Sequence, residues 1–279
     1  MIFSMELKNN FGKLIAWTIV IVILLGLMTA FFPLLVEPQM TNITESLIFS
    51  MGDVTRNILG IEDGFDLTNI SEYIALIYYY IGILVFMFAM QIGASSLSKE
   101  QASGNISYIY SNPISKSEIV TGKLIADTII YIFLLIFLSL ATFGFIYAIK
   151  AVGINAEYIS NFSNFDILEA ILRIFISLLG GGLVFMAIGF FISTCSWQSL
   201  HQDAIATLFI FLIILLTVIA KAVGGGFLKA VSFFPNEVFK PYSFISSNLN
   251  LVGLGLNLVI FIVFIILTYL VYGSKELKY

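Results

Sequence analysis

Six apolar runs, at 14–36, 73–97, 124–149, 167–195, 204–223 and 249–272, constrain what this chain can fold into more than any other feature. Each is long enough for an α-helix to cross a hydrocarbon core of about 30 Å, which takes about 20 residues. Of 13 basic and 17 acidic side chains, only Asp127, Glu169, Arg173 and Lys221 fall inside a run. Unbroken apolar stretches such as 18–27 favour helices over barrel strands, which would alternate apolar and polar residues. Composition agrees: 11% of residues are charged, against about 25% in a soluble domain. The fold class read from the sequence is an all-α polytopic membrane protein with six transmembrane helices, one domain over residues 1–279.

The same numbers exclude several functions. A net charge of −4 lacks the basic stripe that phosphate neutralisation requires, so nucleic acid is not a partner. Cys195, the single cysteine, forms neither an intrachain disulfide nor a cysteine-based metal cluster. The first apolar run is longer than a signal-peptide core and lacks a small-x-small cleavage site, so it reads as a retained span.

Connections 1–13, 98–123, 196–203 and 273–279 hold seven Lys or Arg in 54 residues, whereas 37–72, 150–166 and 224–248 hold four in 78. The positive-inside rule then places both termini in the cytoplasm of a multi-pass plasma-membrane protein. In the first outer connection Ile43, Leu47, Ile48, Met51, Val54, Ile58 and Leu59 recur at helical spacing, which predicts an amphipathic helix on the bilayer or over the bundle. Residues 224–248 open with three glycines and carry Phe233, Phe234, Pro235, Phe239 and Pro241, which predicts a re-entrant or interfacial segment between spans five and six.

No nucleotide-binding loop is present. Gly12-Lys13 and Gly122-Lys123 are each followed by leucine and lack the upstream glycine of a phosphate-binding loop. Of the four intramembrane charges, Asp127 lies i,i+4 from Lys123, just outside its span, and Glu169 lies i,i+4 from Arg173, both read as interfacial or snorkelling pairs, while Lys221 stands alone. Cys195, His201 and Asp203 supply one thiol, one imidazole and one carboxylate, too few for a metal centre. They read as a polar turn with Trp197 at headgroup level. Gly180, Gly181, Gly182, Gly253 and Gly255 permit close helix contact. No catalytic, cofactor-binding or metal-binding residue is expected on the chain.

The loop between spans two and three carries the most specific pattern. It holds Glu100, Gly104, Asn105, Pro113, Ile114, Ser115, Lys116, Gly122 and Lys123 in that order. This resembles the type-2 exporter permease family of ABC transporters, whose loop runs E-x-x-x-G-T, then a short helix ending before proline, then I-[ST]-[RK] and G-K. Asn105 stands where threonine is usual. Ser98 can cap a short helix on which Ile106, Ile109 and Tyr110 lie within about a turn of one another, and Pro113 stops it. The resemblance implies that this is a coupling helix seated in an ATPase subunit, with Glu100, Gly104, Ile106, Ile109, Tyr110, Pro113 and Lys116 as ATPase-coupling residues.

It further implies a transport subunit, not itself an enzyme, that pairs with a second copy of itself or a related permease. Two ABC ATPase subunits would supply ATP and Mg. The abundance of Phe and Tyr suits a hydrophobic or amphipathic cargo, with an amphipathic peptide or peptide antibiotic preferred over lipid-linked glycan, sodium or copper-related cargo. Two other classes compete: an ion-coupled carrier or channel, disfavoured by scarce midplane charge, and a non-transporting scaffold or immunity factor that recruits a soluble partner.

Overall fold

The computed structural model describes residues 2–62, 64–98, 115–152, 163–195 and 201–275. Six helices in it are long and apolar enough to cross a membrane. They are α1 (Ile2–Ala30), α5 (Ile70–Ser96), α6 (Lys116–Val152), α7 (Asn164–Cys195), α8 (Gln202–Val223) and α12 (Leu251–Ser274). Short helices fill two connections. These are α2 (Phe32–Leu35), α3 (Pro38–Ser50) and α4 (Asp53–Leu59) before α5, and α9 (Gly225–Val231), α10 (Pro235–Val238) and α11 (Pro241–Ile245) before α12.

Helix ends follow local chemistry. Asn69 accepts from the Ser71 amide and Asn250 from the Gly253 amide, capping the donors that α5 and α12 leave open. Ser115 and Glu118 form a reciprocal capping box at the start of α6: the Ser115 amide donates to Glu118 Oε2 at 3.0 Å and the Glu118 amide to Ser115 Oγ at 3.3 Å. The expected single helix across the first outer connection is two, because Met51 and Gly52 turn extended between α3 and α4. Glycine is the weakest helix former apart from proline, and Asp53 then favours the new N-terminus. α4 ends where Gly60 takes φ 79°, a left-handed conformation that costs glycine nothing, and the Ile61 amide reaches back to the Arg56 carbonyl.

The bundle inverts a soluble protein. α5 and α7 form the buried central pair, α1 packs on α6, α8 leans on α5, and α12 leans on α7. Outward rows such as Leu208, Phe211, Leu215 and Ile219 on α8 are exposed and apolar, the surface lipid requires. At the α5–α7 crossing the backbones nearly touch. A Cβ on Gly189 would lie 2.5 Å from the Met90 carbonyl oxygen, and Gly93 faces the Met186 carbonyl as closely.

The start of α1 and the end of α12 lie on one face. Glu6 and Asn10 of α1 meet residues at the start of α6, and Lys116 of α6 reaches the Gly273 and Lys275 carbonyls at the end of α12. The opposite face carries α9–α11. Ser177 donates to the Phe239 carbonyl at 2.6 Å, so the segment folds back to a point about 20 Å along α7 from its start.

Candidate functional site

Glu100, Gly104, Ile106, Ile109, Tyr110 and Pro113 lie outside the described residues. Lys116 is within them. Its ammonium donates to the Gly273 carbonyl at 3.0 Å and the Lys275 carbonyl at 2.7 Å, where a cation meets the negative end of the α12 dipole. Burial pushes the adjacent Lys275 ammonium below its ordinary range, and the nearby Cys195 sulfur draws it partly back.

Beside the roots of that loop sits a layer of polar side chains hidden from solvent. Glu6, Asn10, Ser96, Lys123, Asp127, Ser193, Thr194 and Gln202 are all at most 3% exposed. The Asn10 amide donates to Glu6 Oε1 at 3.0 Å and to Asp127 Oδ1 at 2.7 Å. Lys123 pairs with Glu6 at 3.3 Å and also donates to the Ser96 carbonyl at the end of α5. Ser193 of α7 accepts from the Leu97 amide at 2.9 Å and the Ser98 amide at 3.0 Å. Asp127 and Lys123 are therefore not snorkelling side chains, as their i,i+4 spacing had suggested. α1 covers them, because its first turns carry the polar groups that make their burial tolerable.

The opposite face holds a second charged network that the sequence disclosed only as Lys221. Lys221 pairs with Glu237 at 2.8 Å and Lys240 with Glu62 at 3.0 Å, and Lys240 also lies 3.9 Å from Glu237. Both ammonium groups lie over the Tyr79 ring, 5.4 and 5.5 Å from its centre, a cation–π arrangement. Lys221 also donates to the Tyr79 hydroxyl at 3.1 Å. Among the described residues, two positive and two negative charges meet here, which joins α8, the α9–α11 segment and the connection that carries Glu62.

Glu169 and Arg173 do form their predicted pair, at 2.6 and 3.0 Å. The same guanidinium donates to the Phe244 and Ile245 carbonyls at 3.1 Å each and to Ser247 at 2.7 Å, capping α11. Several cavities open on this side among the described residues, two of them beside this network. One, of about 360 Å³, is polar and lined by Asp53, Arg56, Glu62 and Asn248 among others. The other, of about 110 Å³, lies between α5, α8 and the folded-back segment, with Tyr79, Phe86, Phe239, Thr217 and Asn236 in its walls.

No group of three metal-ligating side chains occurs among the described residues. Asp203 is engaged by Lys13 of α1 at 2.7 Å, and Cys195 is exposed. Of the glycines singled out in sequence, Gly180 and Gly181 abut Phe239 and Phe86, Gly182 abuts Tyr131, and Gly253 abuts Val238. Gly255 faces open space. The tightest approach of one backbone to another, at Gly93 and Gly189, was not among them; its only signal is one glycine near the end of each of two long apolar helices.

A family model described as "ABC-2 family transporter protein" matches residues 1–277. No curated protein sequence shows a significant match.

Proposed function

Because the chain belongs to the ABC-2 family of transporter proteins, we propose that it is the membrane-spanning half of an ATP-driven exporter. A membrane subunit of an ABC transporter works with an ABC ATPase; the finer reading is that two ATPase copies dock on the loop at 99–114 of two paired permeases. Nucleotide binding draws the ATPases together, the loops move, and the spans rock between states with different access. ATP and Mg are bound by the partner.

The observation that carries this reading is how the loop is hung. Its first root is held by Lys123 on the Ser96 carbonyl and by Ser193 on the Leu97 and Ser98 amides, and its second by the Ser115–Glu118 box and by Lys116 on α12. A docking element that transmits force needs stiff attachments. An ordinary connector does not. That end, with its denser Lys and Arg, faces the cytoplasm.

Amphipathic peptide, a peptide antibiotic included, is the preferred cargo. Aromatic walls with Thr217 and Asn236 among them suit a ligand with apolar side chains and a backbone to hydrogen-bond. The test is reconstitution with an ATP-binding-cassette ATPase that co-purifies with this chain. Expected are a stable complex, vanadate-sensitive hydrolysis and ATP-dependent uptake of a labelled amphipathic peptide into inverted vesicles. A complex that forms and never transports identifies a scaffold. Uptake driven by an ion gradient without the ATPase identifies a carrier.

A further inference from the structure

Among the described residues, three fully buried ionisable groups at the loop-bearing end are on two helices far apart in sequence. Glu6 lies on α1, and Lys123 and Asp127 lie one turn apart on α6. None is more than 1% exposed, yet each carries a charge at neutral pH in water. Burying charge is unfavourable unless partners replace water, and neutral residues of similar shape often serve stability as well or better. A buried ionic cluster is thus weakly explained by stability alone. Its connections are more informative.

Asn10 bridges the two carboxylates with its one amide nitrogen, holding together Glu6 and Asp127, which would otherwise repel. Lys123 answers Glu6 on one side and on the other holds the Ser96 carbonyl, the last turn of α5 from which the loop departs. Seven residues before Lys123, Lys116 grips the end of α12. The first two turns of α6 therefore touch α1, α5 and α12 through polar contacts. A shift of the α5 end is felt at α6 and α1, because the Lys123 ammonium that holds the Ser96 carbonyl also pairs with Glu6 of α1.

We propose that Glu6, Asn10, Lys123 and Asp127 are positioning residues that convert movement of the loop at 99–114 into movement of the first and third spans. This rests on the functional reading above and adds to it which residues carry the motion into the membrane. The cluster is a rigid polar joint with discrete partners, the kind of element that has alternative arrangements rather than continuous give.

The experiment uses the permease–ATPase complex in proteoliposomes, with Cys195→Ser and Asn248→Cys as the reference. Asn248 is exposed and lines the polar cavity on the far face. Labelling of that cysteine by a membrane-impermeant maleimide is timed with and without ATP and vanadate. In the reference, trapping changes the labelling rate. With Asp127→Asn or Lys123→Met added, the ATPase still co-purifies and still hydrolyses ATP, while the trapping-induced change falls by about five-fold or more, the low end of an allosteric coupling. Lys123→Arg restores it.

If either substitution prevents folding, the doubly neutral Glu6→Gln/Lys123→Met protein, which removes one buried charge of each sign, takes its place with the same expectation. An undiminished labelling response in a folded, assembled variant overturns the proposal, as does a loss that follows ATPase release. A reference complex that does not assemble, or whose Asn248→Cys ignores ATP and vanadate, overturns the exporter reading itself, and the joint with it.

Discussion

Asn10 and Asp127 meet at 2.7 Å across 117 positions of sequence, both hidden from solvent, and their contact locks the first helix against the third span. Replacing Asn10 with leucine keeps the volume and removes the donor that separates two carboxylates. The buried acids then lose a shared hydrogen bond, at about 1.5–3 kcal/mol for a bond to a charged group. The apparent melting temperature of the purified permease should fall. Asn10→Asp should destabilise more, since it adds a third carboxylate.

At the α5–α7 crossing, Gly189→Ala should cost about 1–3 kcal/mol, because a methyl group there has no room beside the Met90 carbonyl. Gly255→Ala is the matched comparison. Nothing lies within 4 Å of its Cβ position, so stability should hold or rise by up to about 1 kcal/mol. Thermal scans of the two proteins in one detergent decide the matter.

Lys221 and Glu237 should behave as a unit. Lys221→Met or Glu237→Gln alone leaves a charge with little solvent, a loss of about 3–5 kcal/mol, whereas the double substitution should recover much of it. A double-mutant cycle on melting or denaturant resistance should give a coupling of about 1 kcal/mol or more. Additive losses would mean that Glu62 and Lys240 hold the segment without this pair.

Orientation is testable with single cysteines in a Cys195→Ser background. Phe49→Cys on α3, at a site 91% exposed, should react with an impermeant maleimide on intact cells. Ser117→Cys at the start of α6 should react only after permeabilisation. The reverse pattern would invert the protein in the membrane and place the denser Lys and Arg outside, against the positive-inside rule.

For the loop, Ile109→Asp together with Tyr110→Asp should abolish co-purification of the ATPase while the permease melts as before, since charge would enter an apolar contact. Retained binding by the doubly substituted protein would make the loop a connector.

Much of this architecture was legible in the chain itself. A run of 20 or more apolar residues has few stable choices in lipid except a helix, so six spans and their order followed from hydropathy. Pro235, Pro241 and three glycines foretold a broken segment before the last span. The Ser-x-x-Glu pattern at 115–118 is equally readable as a helix start. Arg173 with Glu169 followed from helical spacing, because both lie on one element.

What the sequence could not reveal is which distant residues meet. Glu6 and Asn10 read as the polar lead-in to a span, and only the packing of α1 along α6 turns them into partners of Lys123 and Asp127. Glu62, Glu237 and Lys240 read as loop charges until the folded-back segment carries two of them to Lys221 and Tyr79. Gly93 and Gly189 are unremarkable until two backbones cross there. Hydropathy is a property of each segment with its solvent, so the chain alone determined that six helices span lipid. Pairing of buried charges depends on helix rotation, register and neighbours, which adjacent sequence does not encode, and the tertiary structure alone decided it.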